Sequence, residues 1–352
     1  MKKAIALILF VFSLLTCFAQ DYKNDNPYNK TNANDEVPSL AIVQAELTQD
    51  EKDFQIAQKM FNPWYGGPLL TGSGNTLPKG LFNVQPYLFV LVNYAAFDSS
   101  RKSHSINNLI EVNPKFSFGV GITDRIDAGV VVDWLYLRQS GKSANHFGDT
   151  LLATSFGILK ETQIIPALKI FISESFPTGK YEKLKAEKAF VDASGSGSFE
   201  TTLGFTVSKV LWWWLIHPMT LRFAYSYTIP ASVNVKGFNS YGGGFGVDGK
   251  ITPGNKFTLG LGYEFSIVQK VVFAIDASYE YANKSIFKGT YGTIEGEIAP
   301  IGGPSNDVLS FAPAIEYNFS QNLSLITGAW FSVWGRNTNN FAGGITTLTY
   351  TF

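Results

Sequence analysis

The stretch LSFAPAIEYNF, residues 309–319, alternates between two kinds of side chain. Every second position is apolar or aromatic, apart from Pro313 at one of them, and the positions between are small or polar. A period of two places successive side chains on opposite faces of an extended strand. The stretch therefore predicts a long β-strand with one apolar face and one polar face.

The same alternation recurs from residue 81 to the end of the chain, most clearly in FTLGLGYEFSI (257–267) and VVFAIDASYEY (271–281). Runs of about ten alternating residues are typical of membrane-barrel strands, whereas sandwich strands average about 5–6 residues. We predict twelve strands, at 82–97, 106–121, 125–138, 149–161, 165–177, 197–210, 218–230, 255–267, 270–283, 307–319, 322–335 and 341–352.

The connections between these strands alternate between short and long. Short turns are expected at 122–124, 162–164, 268–269 and 320–321, a moderate one at 211–217, and long loops at 139–148, 178–196, 231–254 and 284–306. Outer-membrane barrels have an even number of strands, short periplasmic turns and long external loops. The fold class predicted is all-β: a transmembrane antiparallel up-and-down β-barrel of about twelve strands in the outer membrane of a Gram-negative bacterium, with both termini periplasmic.

Composition agrees with a protein whose solvent is partly lipid. Charged residues make up only 16% of the chain and aromatic residues 15%. After residue 20 no apolar run approaches the roughly 18 residues that a membrane helix needs, so strands must do the crossing. The formal net charge is zero, which gives no indication of nucleic-acid binding. A β-rich secreted protein is the alternative that composition alone leaves open.

The N-terminus has the pattern of a secretory signal peptide over residues 1–19. Lys2 and Lys3 precede an apolar run, and small residues lead to a predicted cleavage after Ala19. Lipidation at Cys17 is the alternative reading, although Thr16 fits a lipobox poorly. With cleavage after Ala19 the mature chain has no cysteine, which excludes disulfides and thiolate metal sites.

Residues 20–80 form an N-terminal extension ahead of the barrel, which we place at 81–352. The polar, Asn-rich stretch 21–34 predicts disorder. Thr48 and Glu51 have the spacing of a capping box, so a short helix is expected over 51–61. The extension is predicted to lie either in the periplasm or in the lumen as a plug.

Alternation directs a set of charged side chains into the lumen. Two interpretations stay open: the basic members neutralise the acids and brace the wall, or the acidic excess lines a water-filled path that favours cations. The lumen-lining candidates are Glu111, Lys115, Asp127, Asp133, Lys169, Glu200, Arg222, Glu264, Asp276, Glu280 and Glu316.

Aromatic residues predict the membrane contacts. Trp134, the run 212–214, Trp330 and Trp334 suit girdles at the two interfaces, with ligand stacking on Trp330 or Trp334 as the alternative. The closing alternation of Leu348, Tyr350 and Phe352 resembles the signal read by the barrel assembly machinery. The expected partners are that machinery, outer-membrane lipid and lipopolysaccharide, and a small-molecule solute.

Little in the sequence indicates catalysis. The three histidines have no metal-ligand spacing and none lies in the middle of a strand, where a barrel hydrolase would need a base for its serine. The run GGGFG (242–246) lacks the strand-to-helix context of a phosphate loop and is expected to be a mobile external loop. We predict no enzyme activity, no cofactor and no metal.

Several segments, in order, resemble one barrel family, the outer-membrane transporters associated with phenol meta-pathway degradation. They are GVGITDRIDAGVVV (119–132), GDTLLATSFGIL (148–159), FPTGK (176–180), SGSGSFETTLGFTVSK (194–209) and the closing Tyr-x-Phe. The resemblance implies passive passage of small, often hydrophobic or aromatic, compounds. The alternative function is a surface-exposed structural or adhesion barrel without transport.

Overall fold

The computed structural model describes residues 39–60, 64–214 and 217–352. The predicted signal peptide, Cys17 and the polar stretch 21–34 lie outside these ranges. Contacts divide the chain between Gln55 and Ile56, so the helix ahead of the barrel is described by itself.

That helix, α1, spans Leu40–Met60. It begins earlier than the capping box predicts. Thr48 therefore lies inside the helix, where its hydroxyl donates to the Gln44 carbonyl at 2.7 Å. Ser39 takes the position before the first turn, where its carbonyl oxygen accepts the Val43 N–H at 3.1 Å.

Among the described residues, no helix combines the length and apolarity that crossing a membrane requires.

The barrel is built from long antiparallel strands. The strands are β1 (Phe82–Phe97), β2 (Ser103–Thr123), β3 (Ile126–Gln139), β4 (Lys142–Phe147), β5 (Thr150–Leu159), β6 (Ala167–Phe176), β7 (Glu200–Trp214), β8 (His217–Pro230), β9 (Val233–Lys236), β10 (Asp248–Thr252), β11 (Lys256–Val268), β12 (Val271–Ala282), β13 (Ile286–Thr290), β14 (Thr293–Ile294), β15 (Glu297–Ile298), β16 (Asn306–Ser320), β17 (Leu323–Arg336) and β18 (Thr338–Thr351).

Twelve of these strands close into a ring. Its order is β1, β2, β3, β5, β6, β7, β8, β11, β12, β16, β17 and β18, and β18 pairs back onto β1. Each neighbour in the ring is also a neighbour among the barrel strands along the chain, which is the up-and-down arrangement. The predicted fold class is confirmed.

The predicted strands match the ring strands to within a few residues, with one clear difference. The moderate connection expected at 211–217 is mostly strand, because β7 continues to Trp214 and β8 begins at His217. Short turns gather at the end of the barrel that also carries Phe82 and Phe352, which we call the short-turn end. The opposite, long-loop end carries the long loops and the strands outside the ring, which are β4, β9, β10, β13, β14 and β15.

The long loops fold into ordered structure of their own. β9, β10 and β13 form a three-stranded sheet whose Val235 and Ile251 side chains are fully buried. The GGGFG run is held by backbone contacts: Gly243 donates its N–H to the Pro300 carbonyl at 2.8 Å and Phe245 pairs with Thr293. Its mobility stays a prediction.

The ring buries polar residues and exposes apolar ones, the reverse of a water-soluble fold. Leu88 and Ile315 on the outer face are 44% and 45% exposed, whereas Glu264 and Glu316 on the inner face are fully buried. Burying ionisable groups while exposing large apolar side chains is unfavourable in water. The outer wall therefore suits lipid, and the buried interior is the lumen.

Candidate functional site in the barrel lumen

The lumen contains residues 64–80, which we call the lumen segment. This extended chain reaches inner-face side chains of strands on opposite sides of the ring, which is only feasible from inside it. Its hydrogen-bonding partners on the wall include Asp127, Lys169, Ser208, Asp276 and Glu316.

Wall carboxylates hold the first half of the lumen segment by its backbone. Asp276 accepts the Leu70 N–H at 3.0 Å on one oxygen and the Thr71 N–H at 2.9 Å on the other. Glu316 accepts the Gly66 N–H. Hydrogen bonds to ionised acceptors are about twice as strong as neutral ones. The two carboxylates therefore act as docking points for an otherwise irregular chain.

The second half docks in the same way on the other side of the ring. Gly74 donates its N–H to the Ser208 hydroxyl at 3.0 Å, and Leu77 donates its N–H to Asp127 at 2.8 Å. A Cβ at Gly74 would lie 2.7 Å from both the Ala167 carbonyl oxygen and the Ser208 nitrogen. This close approach requires glycine.

A buried ion pair lies beside the first half. Arg222 on β8 donates from Nε and Nη2 to Glu264 Oε2 on β11, each at 2.7 Å. The register places Arg222 opposite Gly262 and Glu264 opposite Thr220, so the two side chains lie diagonally across the same strand pair. A buried pair is costly to break, because the remaining charge has no partner.

An apolar patch on the inner wall meets the turn of the lumen segment. Leu69 packs with Ile326 and Ile345, both almost fully buried, and with alanines of β12 and β16. Trp330 adjoins this patch with Phe89, at a ring-centroid distance of 6.1 Å.

The position of Trp330 differs from the girdle prediction. Its ring lies 4.8 Å from that of Phe341, and its Nε1 donates to the Ser310 hydroxyl at 3.0 Å. It therefore belongs to the lumen. Trp334 does not share this face. The ladder shifts between Leu309 and Ser310, so Trp334 lies opposite Leu309 of the outward apolar set. There it stacks under Arg101 at 3.6 Å. Trp134 is 40% exposed and suits a girdle, whereas the 212–214 side chains lie outside the description.

A cavity of ≈ 500 Å³ lies between the lumen segment and the wall. Its lining is mixed: it includes amide and hydroxyl side chains from β1, β16, β17 and β18, apolar residues of the lumen segment, β2 and β3, and the charged Asp127, Lys169 and Arg222. Representative polar lining residues are Asn83, Gln85, Asn318, Ser324, Thr349 and Thr351. The lumen thus has a cavity of mixed polarity toward the short-turn end and an apolar aromatic patch beyond Leu69.

The predicted lumen residues fall into three groups in the structure. Asp127, Lys169, Asp276 and Glu316 contact the lumen segment; Lys169 does so by donating Nζ to the Asn75 carbonyl at 3.3 Å. Ion pairs join Arg222 with Glu264, Lys115 with Asp133 at 3.9 Å, and Glu200 with Lys256 at 2.9 Å. Glu111 and Glu280 occupy inner-face register positions opposite Leu91 and Thr258.

Residues 64–80 of the extension lie in the lumen, which is one of the two placements that the sequence left open, but the sequence did not show their contacts with the wall. Sequence reasoning also missed Lys256, Ser208 and Asn318, whose amide donates to the Trp64 carbonyl at 2.7 Å. One signal was present: residues 64–80 carry five glycines and two prolines without any period. Such a segment makes neither helix nor strand and needs external partners for its backbone groups.

The chain terminus closes the ring as the alternation implied. Phe352 and Phe82 exchange backbone hydrogen bonds at 2.9 and 2.7 Å. Leu348, Tyr350 and Phe352 lie on the outer face, and the rings of Tyr350 and Phe352 stack at 5.2 Å. Their part in assembly stays a prediction.

At the long-loop end, three of the resembling motifs meet at one carboxylate. Asp149 of the GDT motif accepts the Gly179 N–H at 2.9 Å and both the Ser196 N–H, at 2.7 Å, and its hydroxyl, at 3.0 Å. These motifs therefore form a loop junction. Across the described ranges, no three His, Cys, Asp or Glu side chains group in a way that could hold a metal ion.

No protein-family model matches the sequence, and no curated protein matches it. Among solved structures, the chain is similar to the COG4313 outer membrane channel from Pseudomonas putida F1, with a TM-score of 0.63, 13% identity, and coverage of 80% of this chain and 98% of that one. It also matches the transport unit of the autotransporter AIDA-I from Escherichia coli, with a TM-score of 0.42, 11% identity and 86% and 99% coverage. A third match is the TodX deltaS2S3 mutant monoaromatic hydrocarbon channel, with a TM-score of 0.38, 11% identity and 78% and 91% coverage.

At these identities the first likeness shows the fold, and the two weaker ones add nothing to the argument. The chain is a twelve-stranded β-barrel of the outer-membrane type.

Proposed function

We propose that the protein is a passive outer-membrane channel for small solutes, with a preference for hydrophobic or aromatic ones. The observation that carries the proposal is a closed ring whose lumen holds a ≈ 500 Å³ cavity next to an aromatic patch. Its resemblance to the phenol meta-pathway transporters, and its structural likeness to the COG4313 outer membrane channel, point the same way.

The cavity and the aromatic patch support the solute preference. A molecule entering from the long-loop end meets Phe341, Trp330 and Phe89 before the cavity, which Tyr87 helps to line. Apolar pocket walls with a few polar groups favour ligands that have an aromatic body and a polar handle. The lumen segment lies across this path, so passage requires it to shift or leaves only a narrow route beside it.

Orientation belongs to the same proposal. With the short-turn end periplasmic, both barrel termini and the lumen segment are reached from the periplasm, and the ordered loops face outward. Outer-membrane lipid, lipopolysaccharide and the assembly machinery are the partners that this placement entails.

Proteoliposome swelling tests the proposal. Phenyl glucoside should enter faster than methyl glucoside, and Trp330→Ala should reduce that ratio while leaving methyl glucoside entry unchanged. Permeability to neither solute, in the wild type and in a variant lacking residues 64–80 alike, would rule out a channel.

The adhesion alternative has one observation in its favour, the apolar surface of the long loops. Phe245 is 66% exposed and Ile298 is 74% exposed. Deleting 284–305 tests it. An adhesion barrel admits no solute with or without this loop and loses surface attachment when the loop is deleted. A channel admits solutes and shows no attachment to lose.

A further inference from the structure

A group of buried polar oxygens without hydrogen-bond partners lies behind the start of the lumen segment. Glu264 Oε1, Glu316 Oε2 and the hydroxyls of Tyr65, Thr220 and Ser266 are all buried and unpaired. Buried polar atoms are almost always satisfied in folded proteins. The three hydroxyls lie close enough to pair with one another after a small shift, so the two carboxyl oxygens are the atoms that most need a further ligand.

The strand register brings these groups together. Thr220 on β8 is directly opposite Glu264 on β11. Ser266 follows two positions later on the same face, and it shares a row with Glu316 through Val272 of β12. Tyr65 approaches from the lumen segment, where its hydroxyl lies near those of Thr220 and Ser266.

Acidic groups outnumber basic groups in this region. Glu264, Asp276 and Glu316 are fully buried, and the cation among them is Arg222, which is committed to Glu264. These three carboxyl groups share one nearby guanidinium, and buried carboxyl groups without a cation take up protons rather than stay charged. Buried charge without compensation is strongly unfavourable.

We propose that Glu264 and Glu316, with the hydroxyls of Ser266, Thr220 and Tyr65, bind one divalent cation of the calcium class. Calcium accepts six to eight oxygen ligands of mixed type in irregular geometry, so two carboxylates with hydroxyls and water suit it. A bound cation would also keep these buried carboxyl groups ionised. Only two of the proposed ligands are acidic side chains, and hydroxyl oxygens supply the others.

The cation would connect the wall to the lumen segment. Tyr65 and Gly66 line the cavity, whereas Glu264, Ser266 and Glu316 lie behind them. The ion is therefore sealed from the cavity by the segment that it helps to hold. This predicts slow exchange of the ion and tighter docking of Tyr65–Gly67 when it is bound.

Terbium, a luminescent calcium substitute that tyrosine sensitises, provides the test. Chelator-treated, detergent-purified protein should bind one equivalent of Tb³⁺ that Ca²⁺ displaces, and Tyr65→Phe should lower the luminescence more than it lowers binding. Glu316→Gln and Ser266→Ala should weaken Ca²⁺ binding about tenfold or more. Glu280→Gln removes a lumen carboxylate outside the group and should leave binding unchanged.

Ser266→Ala keeps every charge, so it separates loss of a ligand from misfolding, and heat-modifiable migration on gels shows whether each variant forms a barrel. No Ca²⁺ binding at millimolar concentration in the folded wild type would overturn the proposal. Binding that Glu316→Gln and Ser266→Ala leave as tight as in the wild type would overturn it equally. Because binding is measured in detergent without any solute, the result is independent of whether the barrel transports.

Discussion

Replacing Asp276 by Asn should release the lumen segment from the wall. The carboxylate accepts two backbone N–H groups, from Leu70 at 3.0 Å and Thr71 at 2.9 Å. Asparagine keeps one acceptor oxygen and presents an amide donor where the second acceptor was. One donor of the segment is then unpaired in a buried place, and the surviving bond loses its charge.

The magnitude follows from these two bonds. Hydrogen bonds to charged groups contribute about 1.5–3 kcal/mol each, against about 1 kcal/mol for neutral ones. Losing one bond and weakening the other costs the docked state about 3 kcal/mol, or roughly a hundredfold in the docking equilibrium. The barrel ladder is untouched, because Asp276 uses only its side chain in this contact.

Hydrogen exchange measured by mass spectrometry on peptides covering 64–80 gives the readout, with single-channel conductance as a second measure. Protection of the segment should fall by about two orders of magnitude, and the open level should rise or flicker. Glu280→Gln makes the same chemical change on the same strand without touching the segment, so it should match the wild type. Equal protection in Asp276→Asn and Glu280→Gln would refute the docking role of Asp276.

Further outcomes are expected at other contacts. Gly74→Ala places a Cβ 2.7 Å from backbone atoms of the wall and should make the lumen segment accessible to an added protease, unless the segment is already cleaved in the wild type. Asp149→Ala removes three hydrogen bonds and should loosen 177–199 by about 3–5 kcal/mol, seen as proteolysis of that loop in a barrel that still migrates as folded; an intact loop would contradict this. Burial raises the pKa of Asp192, but hydrogen bonds from Lys180 Nζ and the Lys185 N–H outweigh it and hold that pKa below its usual range. The loop should therefore keep this stabilisation above about pH 4 and lose it as pH falls through the lowered pKa, measured by amide exchange against Asp192→Asn, which should show no such step. Deleting Phe352 removes two backbone hydrogen bonds at the ring closure and should lower the yield of heat-modifiable barrel in membranes, with unchanged yield as the contrary result.

The strands were predictable because their pattern is set by the two media on either side of the wall. Each residue of β16 faces either lipid or lumen. The alternation of hydrophobicity alone therefore predicts the strand and which of its side chains face lipid. The extension of β7 to Trp214 was not visible, since VLWWWLI is apolar at every position and gives no alternation from which to read a strand.

The contacts inside the lumen could not be predicted from the sequence, for a different reason. Alternation assigns Asp276 and Glu316 to the inside but does not show what they bind, because their partners are backbone groups more than 200 residues earlier. Backbone donors look the same in every residue except proline. The pairing of Arg222 with Glu264 was likewise hidden, because it depends on the register between β8 and β11.

The resembling motifs show a third kind of limit. GDT, FPTGK and SGSGS are recognisable as a set, yet nothing in any one of them shows that they converge on Asp149. Short polar motifs of this kind invite a functional interpretation, and the structure shows them connecting loops instead.

The mutual hydrogen bonds of Phe82 and Phe352 impose an order of events on synthesis and folding. No chain that lacks its final residues can complete the cylinder, so a prematurely terminated product keeps two unpaired strand edges. Such edges tend to pair with other chains and to aggregate, and chaperones and proteases readily recognise them. We therefore expect the seam to discriminate against shortened chains during folding. It also predicts that a circular permutant opened at the turn between β11 and β12, with 352 joined to 82, would form the same cylinder but would have no N-terminal chain entering it at the seam.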